Sequence, residues 1–302
     1  MENIVVYILD SGISDENKER IDSLCHAYDR QTPVWIKATD VSEQLGMNVS
    51  VDRGSLSQYA RLFVSSDLPD NLQRVLYLDC DIILLKSVRE LWNLDMKGKT
   101  IAALKDAFSK YYRSNIGLQQ DDAMFNSGVM LIDLKRWKEQ NVEKNLLEFI
   151  AKKKGVIQQG DQGALNAILS KDTYCFEPKF NAVTIFFDFT YKELIKYRKP
   201  AEGYYAEKEI EAAKNGPSIV HFTTSFASKR PWVKGCEHCF ASEWLHYRSL
   251  SPWKDYPLWE DNRSGAKKFI MNLFNALPRG VAIPIAGFFQ AYARPLIYKM
   301  KN

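Results

Sequence analysis

The stretch Val75-Leu76-Tyr77-Leu78-Asp79-Cys80-Asp81 places two carboxylates directly after a short apolar run. Four apolar residues in succession predict a strand that is covered on both faces, as in a parallel sheet. Open α/β sheets bind ligands beyond the carboxyl ends of their strands, where Asp79 and Asp81 are expected. Residues i and i+2 of a strand share a side, so both carboxylates can converge on one divalent cation. The alternative is a strand followed by a solvated acidic turn.

Predicted strands and helices alternate along the rest of the 302-residue chain. Strands are expected at Ile4–Leu9, Val34–Ile36, Val75–Leu78, Ile101–Leu104, Gly128–Ile132 and Ile219–His221. Helices are expected after the cap Ser14, after Gly54, at about Val142–Lys153 and from Gly160. This alternation predicts an α/β fold with a mainly parallel central sheet flanked by helices.

The net charge of +4 is unevenly distributed. Residues 265–302 contain six Lys or Arg and no Asp or Glu, so the remainder carries −2. We therefore expect a main domain over residues 1–261 and a basic tail over residues 262–302. Because the excess of positive charge belongs to the tail and the remainder is net negative, no nucleic-acid partner is expected.

The tail contains an apolar stripe at helical spacing, bordered by basic residues. The stripe consists of Phe269, Ile270, Leu273, Phe274 and Leu277. Basic charge beside an apolar face favours binding in the membrane interface, and neither apolar run of the tail reaches the roughly 20 residues needed to span a bilayer. The alternative is a C-terminal helix that packs on the main domain.

The N-terminus shows no export signal, and five cysteines are scattered through the sequence. Reduced thiols and a cytoplasmic location, peripheral on the inner face of the cell membrane, are therefore expected. The segment Cys236-Glu237-His238-Cys239 is half of a zinc motif. No second ligand pair exists, so a structural zinc site is not expected.

Further polar clusters stand where predicted elements begin or end. They are Asn126-Ser127-Gly128 before an apolar run, Asp161-Gln162 at a helix start, His221 at a strand end, and Lys229-Arg230-Pro231-Trp232. Two Asp and one His suit Mn²⁺, which accepts oxygen and imidazole ligands. Lys and Arg together suit a diphosphate. Each cluster alone has an ordinary structural explanation, but their combination and order favour one site.

With these clusters in this order, the chain resembles glycosyltransferase family 8. The members of this family are retaining enzymes that include bacterial lipopolysaccharide galactosyl- and glucosyltransferases. The matching segments are Ser57–Leu62, Val75–Asp81, Phe125–Val129, Gly160–Asn166, and His221-Phe222 with Lys229–Trp232. They come in the family's order over roughly residues 1–260. The resemblance implies a GT-A fold and a UDP-hexose donor, with glucose or galactose transferred to a glycan or lipid-linked acceptor.

The resemblance also implies roles for particular residues. Asp79, Asp81 and His221 are expected to hold Mn²⁺ or Mg²⁺. The expected donor-binding residues are Arg61, Asp79, Asp81, Asn126, Ser127, Asp161, Gln162, Lys229 and Arg230. Gln162 is expected beneath the anomeric carbon, and with Asp161 it forms the predicted catalytic pair. Because an amide is a weak nucleophile, we expect front-face attack within an ion pair rather than a covalent intermediate.

Two departures from the family pattern stand out. The segment Val5–Gly12 resembles the family's second strand, and the first strand and helix that hold uracil and ribose have no counterpart. The loop from His221 to Pro231 is longer than usual, which leaves open whether Lys229 or Arg230 contacts the diphosphate. The alternative function is therefore a truncated, non-catalytic, membrane-associated remnant. A phosphotransferase with an Asp nucleophile is disfavoured because the Asp-x-Asp comes late in the chain.

Overall fold

The structure is a computed structural model that describes residues 4–51 and 55–301. Its strands are β1 Tyr7–Asp10, β2 Val34–Lys37, β3 Arg74–Leu78, β4 Ile82–Leu84, β5 Ile101–Lys105, β6 Phe125–Asp133, β7 Thr173–Cys175, β8 Ala182–Val183 and β9 Ile219–His221. Its α-helices are α1 Asp15–Ala27, α2 Val41–Leu45, α3 Val64–Asp67, α4 Arg89–Trp92, α5 Leu134–Glu139, α6 Val142–Lys152, α7 Gly160–Leu169, α8 Thr184–Asp188, α9 Tyr191–Arg198, α10 Glu207–Asn215, α11 Ala241–Ser249, α12 Gly265–Ala276, α13 Arg279–Phe288 and α14 Arg294–Lys301. The 3₁₀ helices are Leu56–Phe63, Lys110–Ile116, Ser170–Asp172 and Pro178–Asn181, and Phe289–Ala293 is a π-helical turn.

The strands form three sheets within the described residues. Their orders are β1-β2, β3-β6-β5-β7 and β4-β9-β8. The pairs β1–β2, β5–β7 and β8–β9 are parallel, whereas β3–β6, β5–β6 and β4–β9 are antiparallel. The predicted α/β class is therefore confirmed, and the mainly parallel sheet only in part. The causes are β6, which lies between β3 and β5 and runs opposite to both, and β4, which runs opposite to β9.

The local predictions differ from the structure in two places. Gly54 lies outside the described residues, and the predicted α-helix after it is the 3₁₀ helix Leu56–Phe63, capped by Ser55. The predicted strand at Val75–Leu78 exists as β3, but all five of its residues are only half-buried. β3 is an edge strand with β6 as its partner among the described strands. Its side chains still pack on both faces, as predicted: Leu76 and Leu78 contact one core cluster, and Val75 and Tyr77 contact the other.

The core lies on both faces of the four-stranded sheet. Strand alternation sends Val129 and Leu131 of β6 to one face, with α8, α9 and α10. Met130 and Ile132 point to the other face, where α5, α6 and α7 pack. Successive side chains of a strand point to opposite faces of the sheet, so β6 contributes apolar side chains to the core on both faces.

The C-terminal helices α12–α14 pack against the main domain through one side. The Oγ of Ser109 donates to the Ala291 carbonyl at 2.8 Å, and Asn115 Nδ2 donates to the Pro295 carbonyl at 2.9 Å. Phe274 and Ile283 belong to the same core cluster as β6. The tail therefore packs on the main domain, which was the predicted alternative to binding in the membrane interface.

The other side of the tail leaves a row of large apolar side chains exposed. The row contains Phe269, Ile270, Leu273, Val281, Ile285, Phe288, Phe289, Leu296, Ile297 and Met300. In the part of the chain that the structure describes, no helix has both the length and the apolar character to cross a membrane. Pro284 lies inside α13, so the apolar run of this helix is also interrupted.

Candidate metal and donor site

Three strand ends bring the predicted metal ligands together. Asp79 follows β3, Asp81 precedes β4, and His221 is the last residue of β9, where it pairs with Ile82. The Nε2 atom of His221 lies 3.0 Å from Asp81 Oδ1 and 3.8 Å from Asp79 Oδ2. One ligand atom from each residue falls within 4.8 Å of the other two. Across residues 4–51 and 55–301, no other group of three such side chains does so.

Gly128 makes this convergence possible because it has no side chain. A Cβ atom there would lie 2.2 Å from His221 Cε1 and 2.8 Å from Asp79 Oδ2. The register of β5 against β6 shifts between Ala103 and Leu104, opposite this segment, and Asp79 N donates to the Gly128 carbonyl at 2.8 Å. Asn126 and Ser127 were predicted to precede a strand that begins at Gly128, but they lie inside β6, at the irregularity in its pairing with β5.

The ring of His221 is oriented by a residue that sequence analysis missed. Its Nδ1 lies 2.9 Å from Oδ1 of Asn181, and both side chains are buried. Asn181 Nδ2 in turn donates to Asn126 Oδ1 at 2.9 Å. With Nδ1 as donor, Nε2 carries the lone pair and faces the two carboxylates. In metal-binding histidines a neighbouring oxygen commonly fixes the tautomer and the ring orientation in this way. Asn181 follows Pro178-Lys179-Phe180, which gave no sequence signal beyond an ordinary turn.

Arg61 is buried behind the carboxylates. Its Nη2 lies 2.8 Å from Asp79 Oδ1, its Nε 3.0 Å from Asp161 Oδ2, and its Nη1 donates to the Ser127 carbonyl at 2.8 Å. The guanidinium also stacks over Tyr77, whose hydroxyl donates to Asp79 Oδ1 at 2.9 Å. That Arg61 contacts the donor stays a prediction. Its N–H groups pair with Asp79, Asp161 and Ser127, which suits a residue that positions Asp79.

Burial and charge shift the pKa values of three groups in opposite senses. Burial raises the pKa of the Asp161 carboxyl to about 6 against the pull of Arg61. Burial would lower the pKa of Arg61, but the carboxylates, Asp79 first, raise it. At Asp81 burial acts upward, yet the hydrogen bond with His221 and the charge of Arg230 leave the pKa lowered. Asp81 thus stays ionised, as a metal ligand must be.

Three of the predicted donor-binding residues, Asn126, Ser127 and Gln162, form one hydrogen-bonded group. Gln162 Oε1 accepts from Ser127 N at 3.3 Å and from Asn126 Nδ2 at 3.4 Å. Its Nε2 donates to Asp106 Oδ2 at 3.3 Å. Asp161 and Gln162 enter the site together because Gln159 and Gly160, both with positive φ, turn the chain into α7. Asp106 is a second residue missed at the sequence level, since it stands just after β5 without a motif.

The two basic residues of the late loop differ in position. Arg230 Nη2 lies 3.1 Å from Asp81 Oδ2, and the guanidinium stacks over Trp232. Lys229 Nζ instead donates to the Lys234 carbonyl at 3.2 Å. Of the two candidates for the diphosphate, Arg230 is therefore the one beside the carboxylates.

The donor set fits a divalent cation of the Mn²⁺ or Mg²⁺ kind. Two carboxylates and an imidazole nitrogen oriented by a second-shell amide are a typical set for Mn²⁺. Because Gly128 has no side chain, His221 and Asp79 can approach strand β6 this closely. Arg61 and Arg230 balance the two carboxylates when no cation is bound.

Comparison with known sequences assigns the chain to a family. The profile of glycosyl transferase family 8 matches residues 2–236, which is most of the chain. The chain belongs to glycosyl transferase family 8. General stress protein A of Bacillus subtilis is 27% identical over 253 residues, covering 83% of this chain and 84% of that protein. A putative glycosyltransferase of Haemophilus influenzae is 30% identical, covering 78% of this chain and 66% of that protein.

A third relative, the lipopolysaccharide 1,2-glucosyltransferase of Escherichia coli, is 27% identical over 67% of this chain and 56% of its own length. Among solved structures, the galactosyltransferase LgtC in complex with donor and acceptor sugar analogues matches with a TM-score of 0.67 and 22% identity, over 83% of this chain and 86% of LgtC. This likeness shows the fold, which is the GT-A fold of the family. The predicted family and fold class are thereby confirmed.

Proposed function

We propose that this family 8 member transfers a hexose, glucose or galactose, from a UDP-sugar to a glycan or lipid-linked acceptor of the lipopolysaccharide type, with retention of configuration. The observation that carries the proposal is the convergence of Asp79, Asp81 and His221 within 4.8 Å at the ends of three strands. The names of the relatives, a glucosyltransferase and a galactosyltransferase among them, support the hexose donor.

In this proposal Asp79, Asp81 and His221 hold Mn²⁺ or Mg²⁺. Such a cation, when bound, neutralises charge that develops on the departing diphosphate. Arg230 supports the same charge from the protein side, because its guanidinium already lies against Asp81 and suits bidentate phosphate contacts. Lys229 is farther from the carboxylates and contributes, if the loop moves, as a second cation. Electrostatic stabilisation of the leaving group is the main catalytic effect.

The sugar is held by Asn126, Ser127 and Gln162 in the proposed complex. Gln162 presents its amide at the anomeric centre, and its bonds to Ser127 and Asp106 fix the orientation of that amide. Asp161 acts through Arg61, which it holds against Asp79. The Gln162 amide is a weak nucleophile and the buried Asp161 carboxylate is paired with Arg61, which supports attack by the acceptor hydroxyl from the face of the leaving group.

The proposal is tested by titrating UDP into the purified chain by calorimetry, with Mn²⁺ and again with EDTA. Binding is expected with Mn²⁺ and is expected to disappear in EDTA and in Asp81→Asn. Asp95→Asn is the matched control, because the exposed Asp95 pairs with Lys97 and not with a residue of the site. Equal UDP binding by wild type and Asp81→Asn would contradict the metal assignment.

A specific observation also supports the alternative of a non-catalytic remnant. In the described residues the two-stranded sheet β1-β2 is not paired with the four-stranded sheet, so no strand joins β1 to β3. A folded chain that binds neither UDP nor Mn²⁺ would favour the remnant. Metal-dependent UDP binding would favour the enzyme, and release of hexose from a UDP-sugar would then identify the donor.

We further propose residues 262–302 as a tail that binds the cytoplasmic face of the cell membrane, with residues 1–261 as the transferase domain. The support is the set of exposed apolar side chains in the C-terminal helices, together with the seven Lys or Arg of residues 262–302. Vesicles that contain anionic lipid are expected to co-sediment the chain, and salt is expected to weaken this. The double variant Lys267→Glu/Lys268→Glu should lower the bound fraction, and an unchanged fraction would refute the role of charge.

A further inference from the structure

The late loop, residues 222–230, carries Arg230 and closes on itself beside the candidate metal site. Arg230 Nη2 lies 3.1 Å from Asp81 Oδ2 and donates to the Thr224 hydroxyl at 2.8 Å. Because the second contact ties together the two ends of residues 224–230, the anchoring of the residues between them decides where the guanidinium of Arg230 lies.

Asp188, the last residue of α8, anchors the middle of the late loop. Its Oδ2 accepts a hydrogen bond from the Ser225 hydroxyl and another, at 3.1 Å, from the Ser228 hydroxyl. The Oγ of Ser225 also accepts from Ala227 N at 3.2 Å, which fixes the shape of the loop at this point. Hydrogen bonds to a carboxylate are stronger than those between neutral groups. The half-buried Asp188 is therefore a firm attachment for the loop.

The C-terminal helices support both the loop and its anchor. The ring of Phe226 packs edge-to-face on the buried Phe274 of α12, with ring centroids 4.8 Å apart. Arg279, the first residue of α13, donates to the Asp188 carbonyl at 3.0 Å and pairs with Glu193 at 2.8 Å. The tail thus contacts the late loop directly and also holds the residue to which the loop is tied.

We propose that Asp188 and Phe274 are positioning residues for Arg230, so that helix α12 takes part in donor binding without touching the donor. This role rests on the proposed function, in which Arg230 supports the charge of the diphosphate. Without its anchors the loop samples arrangements in which Arg230 lies away from Asp81. The apparent affinity for UDP then falls with the fraction of chains in the competent arrangement. The three proposed metal ligands lie outside the loop, so the affinity for Mn²⁺ stays the same.

The first test cuts the anchor from the side of the loop. In Ser225→Ala/Ser228→Ala, the UDP affinity measured by calorimetry with Mn²⁺ should fall about tenfold at unchanged Mn²⁺ affinity. Adding Asp188→Ala to this variant should lower the UDP affinity no further, because the same hydrogen bonds are already lost. Asp67→Ala is the matched control, because the half-buried Asp67 likewise accepts from a hydroxyl, that of Thr39 at 2.7 Å, outside the loop.

The second test reaches the loop from the tail, in protein without lipid. Phe274→Ala removes the ring partner of Phe226 and should lower the UDP affinity by a similar factor. Leu146→Ala is the matched control, because it opens a cavity at a fully buried position of α6 in the other core cluster. Both variants should lose stability in urea, but only Phe274→Ala should lose UDP affinity. In an Arg230→Gln background, Phe274→Ala should have no further effect on UDP binding.

Hydrogen exchange of residues 222–230, followed by mass spectrometry without ligand, reports the anchoring by itself. Exchange should be faster than in wild type in Ser225→Ala/Ser228→Ala and in Phe274→Ala, and unchanged in both controls. The inference is overturned, with the proposed function intact, if wild type binds UDP and these two variants bind it equally well, or if their loop exchange is unchanged. A parallel loss of Mn²⁺ affinity, or an equal loss of UDP affinity in Leu146→Ala, would also overturn it. If wild type itself bound no UDP, the proposed function would fail and this role would fail with it.

Discussion

Replacing Gly128 by Ala is expected to disrupt the proposed metal site while leaving most of the fold intact. The new Cβ would stand 2.2 Å from His221 Cε1, and ordinary carbon–carbon contacts begin near 3.4 Å. The imidazole must therefore move by more than 1 Å. It is held on its other side by Asn181 at 2.9 Å, and its strand is paired with β4. Metal–ligand distances tolerate only about 0.2 Å, so such a displacement removes His221 as a ligand.

The magnitude follows from these distances. Forcing one extra methyl into a closed space costs about 1–3 kcal/mol of folding free energy. Perturbing second-shell partners alone lowers metal affinity about 10–100-fold, so the loss of a first-shell ligand should reach at least the upper end of that range. Mn²⁺ binding is measured from the free-ion electron paramagnetic resonance signal, and stability from urea unfolding.

Gly265→Ala is the matched control, because a Cβ at Gly265 would meet no atom within 4 Å. This variant should bind Mn²⁺ as wild type does and unfold at the same or a slightly higher urea concentration. If Gly128→Ala also kept wild-type Mn²⁺ affinity and stability, the close approach of β6 to His221 would be refuted, and with it the geometry of the site.

Three further predictions concern the buried charges and the second shell. Arg61→Met leaves Asp79 and Asp161 without their buried counter-charge and should destabilise the chain by about 3–5 kcal/mol in urea unfolding, whereas a loss under 1 kcal/mol would show that the network matters little. The pKa of Asp161 is raised to about 6 in the folded chain, so its protonated form is favoured there. The protonated Asp161 carboxyl therefore adds to the free energy of unfolding in full below about pH 4. This contribution is lost as the pH rises through 6. Asp161→Asn should therefore flatten the pH dependence of unfolding by on the order of 1–3 kcal/mol between pH 4 and 8, and parallel profiles would contradict this. Asn181→Ala frees the Nδ1 of His221 and should weaken Mn²⁺ binding about 10–100-fold at nearly unchanged kcat for the loaded protein, an expectation that unaltered affinity would exclude.

The residues of the site could be predicted from sequence where a local pattern marks them. Asp79 and Asp81 stand at a strand end, and His221 ends β9 at the predicted residue. Asp161 and Gln162 follow a glycine at a helix start. Such signals are local in the chain, so they survive without knowledge of the tertiary contacts.

The rest depended on contacts between distant segments. Asn181 supports His221 across 40 residues, and Asp106 reaches Gln162 across 56. Neither has a local signature, because an Asn or Asp in a loop is ordinary. The antiparallel direction of β6 likewise depends on tertiary contacts, because the alternating pattern of a strand does not encode its direction. The motif of Arg61 predicted a place in the site but not its burial.

The two aspartates of the site are not equivalent, and the difference has a consequence for cation binding. Asp79 is tied to the buried Arg61 and to the Tyr77 hydroxyl, so one of its oxygens is committed to the protein. Asp81 is tied to Arg230, whose side chain is 35% exposed and lies on the late loop. If Asp79, Asp81 and His221 held a cation, Arg230 would be the partner of the carboxylates able to move away, since moving Arg61 would leave buried charge unpaired. Under the proposed function, the freed guanidinium of Arg230 would then be available to a diphosphate, so cation binding and donor binding would reinforce each other.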